Sequence, residues 1–212
     1  MNKKTVFWDD DTQFDFMMPQ GSLYVPGAQN IINTVSKIRR FALDNGFSII
    51  ASMDWHSRDN PEISDKPDFV NTFPPHCIAN HKGAERVGFL GTVPIFYIDT
   101  EPLDDIAIKK LICTEPFHIV IRKNTLNAFD NPNTKKLLDL LKPEKIIVFG
   151  VATEFCVYRA IRGFLEKTSS SVYLIEDAVK PIDPEKGREV LSELISKGVK
   201  VIDSNSLKEL LL

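Results

Sequence analysis

The chain is expected to be an α/β protein built as a three-layer α/β/α sandwich around a doubly wound, mostly parallel sheet. Three observations lead there. Short β-branched apolar runs alternate with amphipathic stretches along the 212 residues, the pattern of parallel strands joined by crossover helices. No fixed-period repeat, low-complexity tract or linker interrupts that alternation, so residues 1–212 read as a single domain. Residue types capable of chemistry gather directly after the apolar runs, where ligands of such sheets sit.

Residues 4–8 (Lys-Thr-Val-Phe-Trp) read as the first strand and run into Asp9, Asp10 and Asp11. Residues 27–44 place Ile31, Ile32, Val35, Ile38 and Phe41 at helical spacing, and residues 47–53 follow as a second strand. Residues 55–92 are polar, rich in proline and histidine, and almost aperiodic; an excursion of that length inside a compact domain is usually functional. A short strand is expected over 94–98 and a helix over 103–112. The alternation then resumes, with strands over 117–121, 145–151, 171–175 and 199–202 and helices over 133–141, 154–167 and 184–197. Lys197-Gly198 stops the last of these, and a closing helix is expected to be capped by Ser204 or Ser206.

Composition narrows the function. Hydrophobic residues make up 43%, charged residues 26%, and the net charge is −3, as in ordinary globular domains. No apolar run reaches the length of a membrane span, and the opening segment has no long apolar stretch of the secretory kind. A pI near 5.8 without a basic block argues against nucleic acid as the partner. The three cysteines, Cys77, Cys113 and Cys156, do not form a disulfide framework, so a reduced, cytoplasmic protein is expected.

Several residues stand where chemistry is done. Cys156 lies in Gly150-Val151-Ala152-Thr153-Glu154-Phe155-Cys156-Val157, a strand, a tight turn and the first turn of a helix. A thiol there meets the positive end of the helix dipole, which favours thiolate, although a small buried hydrophobe is the usual fate of a free cysteine. Asp11, at the end of the first strand, is placed to act as a general acid/base. Asp9 is the alternative, because the two share one face of an extended strand. Lys123 ends the 117–121 strand region and can pair with a thiolate or an aspartate, with Arg122 pointing to the other face. Asp54 and His56 alternate on one face of the second strand, and His76 in the long loop completes a set suited to zinc, iron or manganese. Glu62 is a possible further ligand. Cys77, Cys113, His81 and His118 read as structural, Cys113 as a packing residue. Phe16, Trp55, Phe73 and Phe155 flank these polar groups and are candidates to wall a pocket for a flat ligand.

These pieces together resemble the isochorismatase-like cysteine hydrolases, and within them the nicotinamidases. Asp11-Thr12-Gln13-Phe14-Asp15-Phe16 is similar to the family's opening, Gly21 to Ala28 to the segment that follows, and Asp54-Trp55-His56 and Pro74-Pro75-His76-Cys77 to its metal motifs. Lys123 falls at the family lysine and Gly150 to Val157 at its nucleophile turn. The resemblance implies an isochorismatase-like, Rossmann-like topology and an Asp11–Lys123–Cys156 triad. It further implies a cis peptide between Val151 and Ala152, with the Ala152 and Cys156 N–H groups forming the oxyanion hole. Metal ligands would be Asp54, His56 and His76, with Glu62 where many members place another histidine, and the ion a divalent metal, Zn2+ ahead of Fe2+ or Mn2+. Phe16, Phe73 and Phe155 would bind the substrate ring. The implied activity is hydrolysis of nicotinamide to nicotinate and ammonia through a thioester, within pyridine nucleotide salvage. The alternatives are the same triad acting on another amide, carbamoyl compound or ureide, or a non-catalytic binding module. The partner is then a small amide, without nucleic acid or membrane, and assemblies of identical chains are implied. Asp10 stands where the family has an apolar residue, and Phe73 where nicotinamidases usually have tryptophan.

Overall fold

The computed structural model describes residues 5–212; Lys4, the expected start of the first strand, lies outside the described residues. Seven strands form one sheet: β1 (Thr5–Asp10), β2 (Ser48–Asp54), β3 (Ile95–Ile98), β4 (His118–Lys123), β5 (Lys145–Val151), β6 (Ser171–Lys180) and β7 (Lys200–Ile202). Their order is β3-β4-β2-β1-β5-β6-β7, and every neighbouring pair is parallel. The fold class is α/β, as expected, and the sheet is wholly rather than mostly parallel.

Among the described residues seven helices accompany it: α1 (Phe14–Met17), α2 (Ile32–Asp44), α3 (Asp105–Leu111), α4 (Pro132–Leu141), α5 (Tyr158–Lys167), α6 (Pro184–Ser196) and α7 (Leu207–Leu211). Successive strand residues point to opposite faces, and the core divides accordingly. Trp8, Ile50 and Val148 pack with Ile108 of α3, Leu137 of α4, Phe164 of α5 and Leu194 of α6. Phe7, Ile49 and Ile147 pack on the other face with Val35 and Ile38 of α2 and Leu207 of α7. β1 and β2 are buried along their whole length, which is why they read as near-continuous apolar runs. Among the described residues no helix is long and apolar enough to cross a membrane.

Local chemistry explains most boundaries. Asn131 and Asp183 accept hydrogen bonds from the first turns of α4 and α6, each with proline at the first helical position, the preferred start. Gly198 takes φ +96° after α6, the left-handed conformation of a helix stop. Three expectations need correction. The closing helical segment is capped by Asp203, whose carboxylate accepts from Asn205 N; the Ser204 hydroxyl is spent on Asp177, and Ser206 makes no side-chain cap. β6 runs on to Lys180, because a register shift between Val148 and Gly150 lets pairing resume at Gly150 and Val151 past the exposed Glu176. The segment before α5 is a π turn, Thr153–Val157, a feature frequent at functional sites.

The 55–92 excursion contains one short 3-10 turn, Lys82–Ala84, and isolated bridges pairing His56 with Ile78, Ile63 with Phe73 and Gln13 with Arg86.

Candidate active site

The carboxyl ends of β1, β2, β4 and β5 adjoin in the middle of the sheet, and each delivers one part of the site. β1 runs into three consecutive buried aspartates, the third just past its end, that go to three destinations. Asp9 takes the face of Phe7 and meets Arg39 Nε at 2.6 Å and Arg86, with Thr12 Oγ1 donating at 2.8 Å. Burial works against its charge, but the two guanidinium groups outweigh it and hold Asp9 well below the usual carboxylate range. Asp10 takes the face of Trp8. Asp11 has φ +47°, a left-handed conformation that aspartate tolerates better than most residues. That turn breaks strand alternation, so Asp9 and Asp11 do not share a surface as the extended-strand rule predicts, and Asp9 is excluded as the base.

Asp11, Lys123 and Cys156 come together. The Lys123 ammonium has three protons, directed at Asp54, at Thr125 O (3.1 Å) and at Cys156 Sγ (3.6 Å). Asp11 Oδ2 lies 2.8 Å from the same nitrogen but receives no aligned hydrogen bond; it is the acceptor left for the Cys156 thiol. Asp11 Oδ1 is engaged 2.7 Å from Ser52 Oγ. Burial raises Asp11 above the ordinary carboxylate value, with Lys123 opposing. Burial also pushes the Cys156 thiol well up, again with Lys123 opposing and Asp11 adding to the rise. The resting cysteine is therefore a thiol beside a base. The helix-dipole expectation of a standing thiolate is outweighed by desolvation.

The next-to-last residue of β5 is Gly150, whose φ of +125° and 2.0 Å separation between an added Cβ and Asp10 O admit no side chain. The Val151–Ala152 peptide is cis, as the resemblance implied. Ala152 precedes the π turn that follows, and Cys156 lies within it.

Asp54, His56 and His76 form a buried group whose ligand atoms lie within 4.8 Å of one another. Asp54 Oδ2 is 3.6 Å from His56 Nε2 and 3.5 Å from His76 Nε2. The His76 Nδ1 sits 2.8 Å from Pro74 O, which makes that nitrogen the donor and leaves Nε2 with its lone pair toward the group. Both ring nitrogens of His56 are buried without a partner. Orphaned imidazole nitrogens beside a carboxylate fit a divalent cation, and this donor set suits zinc, iron or manganese. Burial works against the Asp54 charge, yet Lys123 and the two histidines hold it well below the carboxylate range. Glu62 stands outside the group of three; it is half-buried, raised by burial and then by the Asp54 charge, so it faces the site without joining it. Burial pushes the Cys77 thiol well up, and its Sγ contacts Gly83 O at 3.7 Å, a structural role. Cys113 is exposed rather than packed; it lies one residue past Ile112, which still packs against the core.

The cleft above these groups encloses about 380 Å³, open mouth included. Phe16, Phe73 and Phe155 all line it, as expected, and Leu23, Val25, Leu126, Val151 and Ile182 complete an apolar wall. The Phe73 and Phe155 rings meet edge to face at 6.1 Å, and Phe16 and Phe73 flank His76 at 5.5 and 6.1 Å. Among the described residues the polar side chains on the lining are Asp54, His76 and Cys156. Such a cleft suits a small flat ligand with one polar end. Trp55 is not part of this wall; it turns away and stacks on Arg122 at 4.0 Å.

Sequence reasoning assigned no role to Gln13, Ser52 or Asp15, yet they build the site. Gln13 Nε2 donates to Asp54 O and Ala84 O, and its Oε1 accepts from Asp54 N. Asp15 accepts from Ser22 N and Cys77 N. The signal for both was their place in the Asp11–Phe16 motif; Ser52, inside an apolar strand, had none beyond being polar there.

An isochorismatase domain model matches residues 104–206, the portion that holds Lys123, Ala152 and Cys156. The nicotinamidase of Saccharomyces cerevisiae is 24% identical, with 91% of this chain and 96% of the yeast protein covered. The nicotinamidase/pyrazinamidase of Mycobacterium tuberculosis is also 24% identical, over 92% and 96%. Among solved structures, the pyrazinamidase of Pyrococcus horikoshii in complex with zinc is 28% identical with a TM-score of 0.75, over 94% of this chain and 99% of that one.

Proposed function

We propose that the chain is an isochorismatase-like cysteine hydrolase, an amidohydrolase that cleaves a small aromatic carboxamide, nicotinamide first, to the acid and ammonia. One observation carries the reading: a buried thiol, a lysine and a carboxylate with a free acceptor oxygen converge at the floor of an apolar cleft. The nicotinamidase and pyrazinamidase names of the similar proteins point to the same class of substrate.

In this mechanism Asp11 Oδ2 takes the Cys156 proton as the thiol attacks the carboxamide carbon, so thiolate forms only in the encounter with substrate. Lys123 offsets the negative charge that passes between sulfur and carboxylate. The N–H groups of Ala152 and Cys156 receive the oxyanion; in a comparable acyl-transfer site one such donor is worth about 3–4 kcal/mol. Asp11 returns the proton to departing ammonia, which leaves a thioester on Cys156. Asp11 then deprotonates a water that releases the acid. Phe16, Phe73 and Phe155 hold the ring. Asp54, His56 and His76 would hold a divalent ion, zinc first, which when bound supplies a Lewis-acidic docking point for a ring nitrogen. Glu62 lies close enough to add charge to that set. A small amide is the proposed organic substrate, and a reducing cytoplasm the proposed setting, which three free cysteines support.

Cys156→Ala is expected to abolish ammonia release from nicotinamide while the metal stays bound; normal turnover by that variant would sink the mechanism. A panel of nicotinamide, pyrazinamide, aliphatic amides, carbamoyl compounds and ureides, scored by ammonia release, separates the ring-amide reading from its nearest rival.

A further inference from the structure

Asp10 is a fully buried carboxyl that the proposed reaction does not use. Its Oδ2 accepts from Trp8 Nε1 at 3.0 Å. Its Oδ1 lies 2.9 Å from Ser52 Oγ, and that hydroxyl oxygen is 2.7 Å from Asp11 Oδ1. A serine hydroxyl owns one proton, so it can donate in only one of these two contacts. Two oxygen pairs at hydrogen-bond distance require a second proton, and it must sit on a carboxyl. Asp11 has the Lys123 ammonium 2.8 Å from its Oδ2, which stabilises it as the anion. Asp10 is hydrogen-bonded only to the neutral Trp8 and Ser52 side chains. The charged and titratable groups facing it are Asp11 on its own strand, Lys123 from β4 and, across the site, Cys156 after β5. Burial raises Asp10 well above an ordinary carboxylate, the Asp11 charge adds to that, and Lys123 opposes it.

We infer that Asp10 is a neutral carboxylic acid that donates to Ser52 Oγ, so that Ser52 donates to Asp11 Oδ1 and holds the base of the site in one orientation. Asp10 is a positioning residue, since it acts on Asp11 through Ser52 and touches no reacting atom. The chain does two things at once. It gives the Asp11 carboxylate a polarised donor, which favours the charged form, and it leaves Oδ2 as the acceptor toward the thiol. It also removes a third negative charge from a site where one lysine already faces Asp11 and Asp54. The role assigned to Asp11 rests on the amidohydrolase reading; the protonation state of Asp10 does not.

The test has a spectroscopic arm and a kinetic arm. Infrared difference spectra of the full chain against Asp10→Asn, taken at fixed pH values between 6 and 9, are expected to contain a protonated-carboxyl band that shifts in deuterium oxide. Asparagine supplies the same neutral donor to Ser52, so the acidic limb of the kcat/KM profile should stay within about 0.3 pH unit of the unmodified protein. Asp10→Val supplies none; it should move that limb upward and lower kcat about threefold to tenfold, the worth of one hydrogen bond, with KM unchanged. Two results would overturn the inference. One is the absence of a protonated-carboxyl band assignable to Asp10. The other is a downward move of the acidic limb by about one pH unit or more in Asp10→Asn, as loss of a neighbouring negative charge would cause. The infrared arm needs no turnover, so a wrong substrate assignment and a wrong Asp10 assignment give different results.

Discussion

Lys123→Met removes a charge while keeping most of the stem, and the site dictates a large effect. Lys123 is 1% exposed and faces two carboxylates that are equally buried, Asp11 at 2.8 Å and Asp54 in direct contact. Removing one member of a buried ion pair costs about 3–5 kcal/mol, because the remaining charge is left uncompensated. A loss of that size is a large share of the about 5–15 kcal/mol that holds a typical domain folded. The pH dependence has a definite sign. Asp11 is already raised by burial and is held down by Lys123, so without the lysine it rises further. A carboxyl whose folded pKa exceeds its unfolded value, about 3.9, binds protons preferentially in the folded state, so the variant regains stability as pH falls through the folded value. Lys123 itself is raised above its ordinary value, so in the unmodified protein its contribution persists through the neutral range and is lost only at strongly alkaline pH. Urea denaturation of both proteins at several values between pH 5 and 8, in the presence of a chelator, measures this. A loss under about 1 kcal/mol, well short of the 3–5 kcal/mol of a broken buried pair, or a deficit that grows on acidification, would refute the reasoning.

Three further outcomes follow from the same geometry. Arg39→Met strips Asp9 of one of its two cations and frees the Val87 and Phe89 carbonyls; urea denaturation at pH 7 should show a loss of about 3–5 kcal/mol. Because Asp9 is held low, that stabilisation is present above its unfolded value and fades as pH falls through and below about 4, so the two proteins should converge in acid. Phe73→Leu keeps the cleft apolar but removes the edge-to-face contact with Phe155; KM for a ring amide should rise about two- to tenfold with kcat nearly unchanged, read from initial rates of ammonia release. His56 has no hydrogen-bond partner on either ring nitrogen, so His56→Ala should empty the metal site by mass-spectrometric metal analysis while circular dichroism stays native.

Much of this architecture was legible because parallel strands buried on both faces leave long apolar runs, and β1, β2 and β5 are such strands. The positions of Asp11, Lys123 and Cys156 were legible because each ends or follows a strand, and the metal group because Asp54 ends a strand and His56 follows two residues later. What escaped was decided by tertiary contact. The split of Asp9, Asp10 and Asp11 depends on a single left-handed residue, which local sequence does not announce in a run of three aspartates. The extension of β6 depends on a bulge in its partner. The protonated resting state of Cys156 is set by desolvation, whereas its position at a helix start suggested the reverse. Leu126 and Ile182 reach the cleft from loops on either side of it, and no periodicity marks such residues.

The long excursion between β2 and β3 has little regular structure, yet it is tied down on several sides. Gln13 grips the Asp54 peptide and Ala84, Asp15 holds Cys77, Arg39 takes Val87 and Phe89, and Arg86 reaches back to Asp9. All of these anchors lie on or just after β1, or on α2. The segment is thus a fixed wall whose conformational entropy is surrendered during folding. An arriving amide meets a finished shape and bears none of that ordering cost, so affinity is governed by desolvation and fit at the ring. The exposure to failure moves to assembly: a lesion at Arg39 on α2, remote from the ring pocket in the chain, would loosen the wall without touching a strand.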